Sequence, residues 1–160
     1  MTGVSTVPDR LDPLDRRLLR ALAEDARLPV TTLAERIGLS PNATAERMRR
    51  LRRDGVIAGY SLRLDPRAMG RGLIAFVEVR LDRVDGDAFE AFAAAVRRVA
   101  AVEECHMVAG GFDYLLKTRH ADMAAYRAFL SEALATLPGV RETRTYVVME
   151  EVVAGGVPVI

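Results

Sequence analysis

The chain has 160 residues, 50% hydrophobic and 28% charged, enough apolar material for one medium domain or two small ones and too much for a disordered chain. No apolar run approaches the roughly 20 residues of a membrane helix, MTGVSTVPDR lacks the basic start and apolar core of an export signal, and the one cysteine, Cys105, fits a reducing cytosol. The formal net charge is only +1, yet residues 1–60 hold 11 Arg against 8 acidic residues and residues 61–160 hold 12 basic against 14 acidic, the pattern of a polyanion-binding head on a body with another task.

After an N-terminal arm (1–10), Asp12 as cap, Pro13 at the first helical position and Asp15 in the first turn predict a helix start. Leu14, Leu18, Leu19 and Leu22 recur at helical spacing, giving an amphipathic helix of about three turns. Beyond Arg27-Leu28-Pro29, TTLAERIG reads as a short helix with a capping box at Thr32 and Glu35, inward Leu33 and Ile37, and Gly38 as its stop. Ser40 then caps, and Pro41 opens, a further helix about two residues on. Two helices joined this tightly cross steeply, as in a helix-turn-helix.

In the second of these helices Thr44, Met48 and Leu51 form the inward stripe, which leaves Asn42, Ala43, Glu46, Arg47 and Arg50 on the outer side. Five arginines, Arg47, Arg49, Arg50, Arg52 and Arg53, occupy seven consecutive positions. Like charges this close repel in an isolated helix, and phosphates relieve that repulsion. The bland alternative is a solvated charged face. With the turn and the cap, the run reads as a recognition helix: its N-terminal half meets base edges and its flanking arginines meet phosphate. The DNA-binding candidates are Ser40, Asn42, Ala43, Glu46, Arg47, Arg49, Arg50 and Arg53, with Arg47 and Arg50 expected to point outward. Gly55 ends the helix, and VIAGYSLRL alternates well enough for a small two-stranded wing, closing a winged helix-turn-helix over 11–64.

DPRAMGRG, with one proline and two glycines, marks a linker at 65–72. Beyond it Ala75, Val77, Val79 and Leu81 alternate with Phe76, Glu78 and Arg80 as a strand. A helix with Phe89, Phe92, Val96 and Val99 on one face follows. VEECHMVAG and FDYLLKTRH read as strands joined by a tight hairpin at Gly110-Gly111. A second helix carries Met123, Tyr126, Leu130, Leu134 and Leu137 and stops at Pro138-Gly139, and RETRTYVVMEEV is the last strand. The order is that of a ferredoxin-like βαββαβ sandwich over 73–153, with a tail at 154–160, and the class is α+β. Two helices cover one face of four strands, yet Phe76, Tyr146 and Val148 make the other face partly apolar, so a second copy is the expected cover.

The stretch LDPLDRRLLRALAEDARLPVTTLAERIGLSPNATAERMRRLRRDGVIAGY resembles the winged helix-turn-helix of the leucine-responsive and asparagine-regulator (Lrp/AsnC) transcription factors. ECHMVAGGFDYLLKTR, DMAAYRAFL and LPGVRETRTYVVMEEV are similar to that family's effector-binding and assembly domain, closest to the leucine-responsive branch. The resemblance spans about residues 11–153. It implies a cytoplasmic regulator of amino-acid metabolism genes that binds duplex DNA, forms dimers and then octamers or similar rings, and responds to leucine or another small amino acid. It also places the effector at a junction between dimers, around Gly110-Gly111-Phe112-Asp113-Tyr114, and adds Tyr146, Val147 and Val148 as wall positions.

The residues themselves supply the chemistry a zwitterion needs. Backbone N–H groups near Gly110 and Gly111 approach a carboxylate closely because no Cβ intervenes, Asp113 offers an ammonium acceptor, and Met107 and Met123 are adaptable apolar walls. Asp113 has an alternative task, pinning its own turn through backbone N–H groups. Cys105 and His106 are adjacent, so they point to opposite faces of a strand and form no nucleophile–base pair. His120 lacks a partner at metal-ligand spacing, and Gly110-Gly111 lacks the strand-to-helix context of a phosphate loop. Neither a metal, a cofactor nor enzymatic turnover is expected. Two other readings are weighed: an amino-acid-sensing accessory of a metabolic enzyme, for which no paired acid and base is visible, and an RNA-binding regulator, against which the arginines lack interleaved aromatics.

Overall fold

Asp12 and Asp15 start the first helix, α1 (Pro13–Glu24), as a reciprocal capping box: the Asp15 N–H donates to Asp12 Oδ1 at 2.8 Å and the Asp12 N–H to Asp15 Oδ2 at 3.2 Å. The computed structural model describes residues 11–82 and 85–154, so the expected arm at 1–10 and all but the first residue of the expected tail lie outside the described residues. These residues form two compact units, one of three helices that runs to Leu62 and also takes in Val153 and Ala154, and one spanning Arg63–Val152.

In the first unit α1 is followed by α2 (Val30–Ile37) and α3 (Pro41–Arg53). Helix α2 begins three residues earlier than the capping-box pattern suggests. Pro29 takes the cap position, with no side-chain hydrogen bond, and Thr32 lies inside the helix. Gly38 ends α2 at φ 74°, a left-handed conformation that lets the chain turn at once into α3. Ser40 Oγ accepts the Ala43 N–H at 3.2 Å and Pro41 opens α3. Leu18, Leu22, Leu33, Ile37 and Leu51 form the core, with Met48 packed against it and Thr44 wholly buried.

The expected wing is absent. Residues 56–64 form no strand; Tyr60, Leu62 and Leu64 alternate along the chain as expected but are exposed. A lone two-stranded ribbon is marginal in water, and Gly59 at its centre weakens it further. The linker is more ordered than its composition suggests: Asp65–Arg71 close a turn in which Arg71 donates its N–H to Pro66 O at 2.7 Å.

In the second unit β1 (Leu73–Leu81), α4 (Gly86–Val96), β2 (Val102–Met107), β3 (Tyr114–His120), α5 (Met123–Glu132) and β4 (Val140–Val147) follow in chain order. The sheet is antiparallel with order β2-β3-β1-β4, the ferredoxin-like topology. Ala75, Val77, Val79, Leu116 and Phe92 are fully buried where α4 and α5 pack on one face. Tyr114 stacks on Phe92 with ring centroids 4.4 Å apart.

Three expectations fail in detail here. The β2–β3 connection is a six-residue loop closed by a Val108 N–H to Asp113 O bond of 3.0 Å. Neither Gly110 nor Gly111 has the positive φ that a tight two-residue turn demands. Met123 opens α5 exposed rather than on its apolar face, which Tyr126 and Phe129 supply. Strand β4 stops at Val147, beyond which Met149, Val152 and Val153 are exposed.

Candidate nucleic-acid interface and effector cleft

The side chains of α3 divide differently from the expected outward fan. Ser40, Asn42, Ala43, Glu46, Arg49, Arg52 and Arg53 are exposed. Glu46 holds Arg49 one turn on, at 3.1 Å from Nε, and this bond keeps its carboxyl below the usual glutamate range. Arg53 reaches Asp54 at 3.4 Å.

Arg47 and Arg50 do not point outward. Both turn back to the start of α1, where Arg47 meets Asp12 Oδ2 at 2.5 Å and Asp15 Oδ1 at 2.8 Å, and Arg50 meets Asp15 at 2.5 Å. The Asp15 side chain is 0% exposed. The reason is electrostatic: a carboxylate with no water contact must be compensated by cations nearby. Helical spacing alone could not reveal this, because the compensating charge belongs to another helix. The Asp12 carboxyl is lowered, chiefly by its bond from Arg47, and the Arg47 guanidinium is raised in turn by the same bond.

In the second unit the loop residues Gly111 and Phe112 border a cleft of about 320 Å³ with Glu78, Arg80, Glu142 and Arg144. The four charged residues alternate along β1 and β4 on the face away from the helices, with Glu78 opposite Arg144 and Arg80 opposite Glu142. Arg80 donates to the Gly111 carbonyl, fixing the loop to the sheet. Tyr146 donates its hydroxyl to Glu78 at 3.0 Å, and Arg144 is raised, first through its hydrogen bond with Tyr146. The arrangement offers two cations and two anions within one small cleft. None of the four was singled out from the sequence, although the period-2 spacing of Glu78 and Arg80 places both on the sheet's open face.

Asp113 is half-buried, and its Oδ2 accepts the Leu81 N–H at 2.8 Å while its own N–H donates to Val79 O at 3.0 Å. It pins the loop to β1. No partner among the described residues engages Oδ1. Met107 lines a separate cleft of about 520 Å³ with Val96, Arg97, Val102 and Cys105, where burial pushes the Cys105 thiol up. Met123 and Val147 are exposed, Val148 is half-buried with its N–H on Ile74 O at 2.9 Å, and none of the three borders either cleft. Among the described residues no group of three or more His, Cys, Asp or Glu is placed to hold a metal.

An AsnC-type helix-turn-helix domain model matches residues 11–52 and an Lrp/AsnC ligand binding domain model matches residues 74–158. This chain belongs to the Lrp/AsnC family. It is a transcriptional regulator that joins a helix-turn-helix DNA-binding domain to a ligand-binding domain. Among its Lrp/AsnC relatives, the leucine-responsive regulatory protein of Salmonella typhimurium is 52% identical over 142 residues, 89% of this chain and 87% of the relative. That of Escherichia coli K12 is 51% identical over the same share. A transcriptional regulator of Neisseria meningitidis solved in complex with L-methionine superposes with TM-score 0.85 at 35% identity, covering 90% of this chain and 93% of that one. A feast or famine regulatory protein of Mycobacterium tuberculosis, complexed with L-methionine, gives 0.80 at 37% identity, covering 90% and 95%.

Proposed function

We propose that this Lrp/AsnC regulator binds duplex DNA through α3 and alters that binding when a free amino acid, leucine or another small one, occupies the cleft beside the Gly110–Asp113 loop, so controlling amino-acid metabolism genes. The observation that carries the reading is the ring of Arg80, Arg144, Glu78 and Glu142 around Gly111 and Phe112. A zwitterion needs charge of both signs and an apolar wall. The arginines and the Gly111 N–H serve the carboxylate and Phe112 walls the side chain; Gly110, Asp113 and Tyr146 adjoin the cleft without lining it, and from there Asp113 Oδ1 serves the ammonium. Met107, Met123, Val147 and Val148 lie outside this cleft and contribute to the effector only from a neighbouring copy.

On the DNA side, exposed Asn42, Ala43 and Glu46 face base edges and Arg49, Arg52 and Arg53 face phosphate, with Ser40 at the helix start; Arg47 and Arg50 take part from its shielded side. Phe76, Leu115 and Tyr146 on the open sheet face favour a homodimer, which presents two recognition helices about 34 Å apart to half-sites one DNA turn apart. Dimers assemble further, to an octamer. The protein works in the cytoplasm, without cofactor or turnover; no helix among the described residues is long and apolar enough to cross a membrane. Footprinting on the protein's own upstream region with a panel of amino acids tests the reading. A footprint that one amino acid changes is the expected result, and protection indifferent to all twenty refutes the sensing half. Light scattering that finds only a 17.5 kDa species at micromolar concentration refutes the assembly.

A further inference from the structure

We infer that Asp15 is a positioning residue for DNA reading: it draws Arg47 and Arg50 away from phosphate and uses them to lock the recognition helix α3 against the first turn of α1. The inference rests on the DNA-binding reading above. Its basis is geometric. Asp15 is fully buried, and both its carboxylate oxygens are engaged, Oδ1 by Arg47 and Arg50 and Oδ2 by Arg50 and the Asp12 N–H. Asp12 takes a further Arg47 bond at 2.5 Å. Two guanidiniums from successive turns of α3 therefore converge on one carboxylate in the first turn of α1.

Such a pair of anchor points one turn apart fixes both the rotation of α3 about its axis and its slide along that axis. Both must be set to within a fraction of an ångström for the exposed side chains of α3 to meet base edges. The first turn of α1 holds the anchor rigidly, because the same two aspartates cap that helix. Arg52, together with Arg49 and Arg53 once their exposed pairs with Glu46 and Asp54 open, is left to neutralise phosphate. The dense arginine run is thus two sets with opposite duties, interleaved by helical periodicity.

The test compares a duplex that the parent protein selects from a random pool with an unselected duplex, across a salt series. Arg52→Ala lowers the slope of log Kd against log salt by about one, as loss of one phosphate contact requires. Arg47→Ala and Arg50→Ala leave that slope unchanged and reduce the preference for the selected duplex. Asp15→Asn frees both arginines: it loses on the order of tenfold in preference, the scale of one base-edge contact, while its slope holds or steepens. A merely structural role would weaken both duplexes in proportion. If circular dichroism shows Asp15→Asn unfolded, Asp12→Asn removes one anchor from a partly exposed carboxylate and is judged by the same criteria. A slope that falls by about one in Arg47→Ala or Arg50→Ala overturns the inference, as does full preference retained in the aspartate variant. A parent that selects no duplex overturns the DNA-binding reading itself, and the inference with it.

Discussion

Replacing Asp113 separates the loop's architecture from its chemistry. Its Oδ2 receives the N–H of Leu81 at 2.8 Å, immediately beyond the last β1–β3 rung, Val79 with Tyr114. The carboxylate thus extends the ladder by one acceptor. Leu81 is 3% exposed, so Asp113→Ala strands a buried donor, at about 1–3 kcal/mol. In a unit the size of Arg63–Val152 each kcal/mol lowers the melting point by roughly 4–8 °C. Asp113→Asn keeps an oxygen there and is expected to melt within a few degrees of the parent. Tyrosine circular dichroism follows this unit, since Tyr114, Tyr126 and Tyr146 lie in it and only Tyr60 does not. Calorimetry then measures amino-acid affinity in the Asn variant. Loss of a charge-assisted bond worth about 1.5–3 kcal/mol weakens binding by roughly 10- to 150-fold. If Asp113→Asn melts as low as Asp113→Ala, the acceptor account is wrong; if it binds amino acid as tightly as the parent, Asp113 is no effector contact.

Phe92, 0% exposed and stacked on Tyr114, is expected to cost about 3–5 kcal/mol on truncation to Ala, read by urea unfolding of the same tyrosine signal; a loss below 1 kcal/mol would contradict the packing. Gly38→Ala places a Cβ in open space at φ 74°, so only the left-handed backbone term of about 1–2 kcal/mol remains. Gly38→Asn should cost less, and an equal loss in the two would point to a clash instead. His120, buried between Tyr126 and Phe129, has its pKa lowered, first by burial and then by the Arg71 charge. The unfolded chain therefore binds a proton that the folded one refuses. Stability is full above the ordinary histidine value of about 6.5 and declines below it by up to about 1.4 kcal/mol per pH unit. His120→Phe should flatten the decline between pH 7 and 5, and an unchanged profile would reject the assignment.

The helices and strands were legible wherever burial has a period. Thr44 and Leu51 on α3, and Val77 and Val79 on β1, stand where spacing put them. What failed depends on partners remote in sequence. Arg47 was read as outward because its helix has an outer side, but a carboxylate 32 residues earlier decides its direction. The cleft's four charges were missed because Glu78 meets Arg144 only through the β1–β4 register. Glycine pairs suggest a tight turn, yet the backbone at Gly110 and Gly111 stays at negative φ and the loop is six residues long. Val147 and Val148 came from family likeness, and neither borders the cleft in a single chain.

The exposed stretch from Ala58 to Leu62, outside every helix and strand, has a consequence for the protein's life in a cell. Exposed chain with no ladder or helix to lose is where a protease cuts first. Each side has a core of its own: Leu18, Leu33 and Leu51 hold one, Val77, Phe92 and Leu116 the other. One nick would therefore fall between a DNA-reading core and a ligand-binding core, inside neither of them. A regulator cut there would have lost the tether through which its sensor speaks to its reader.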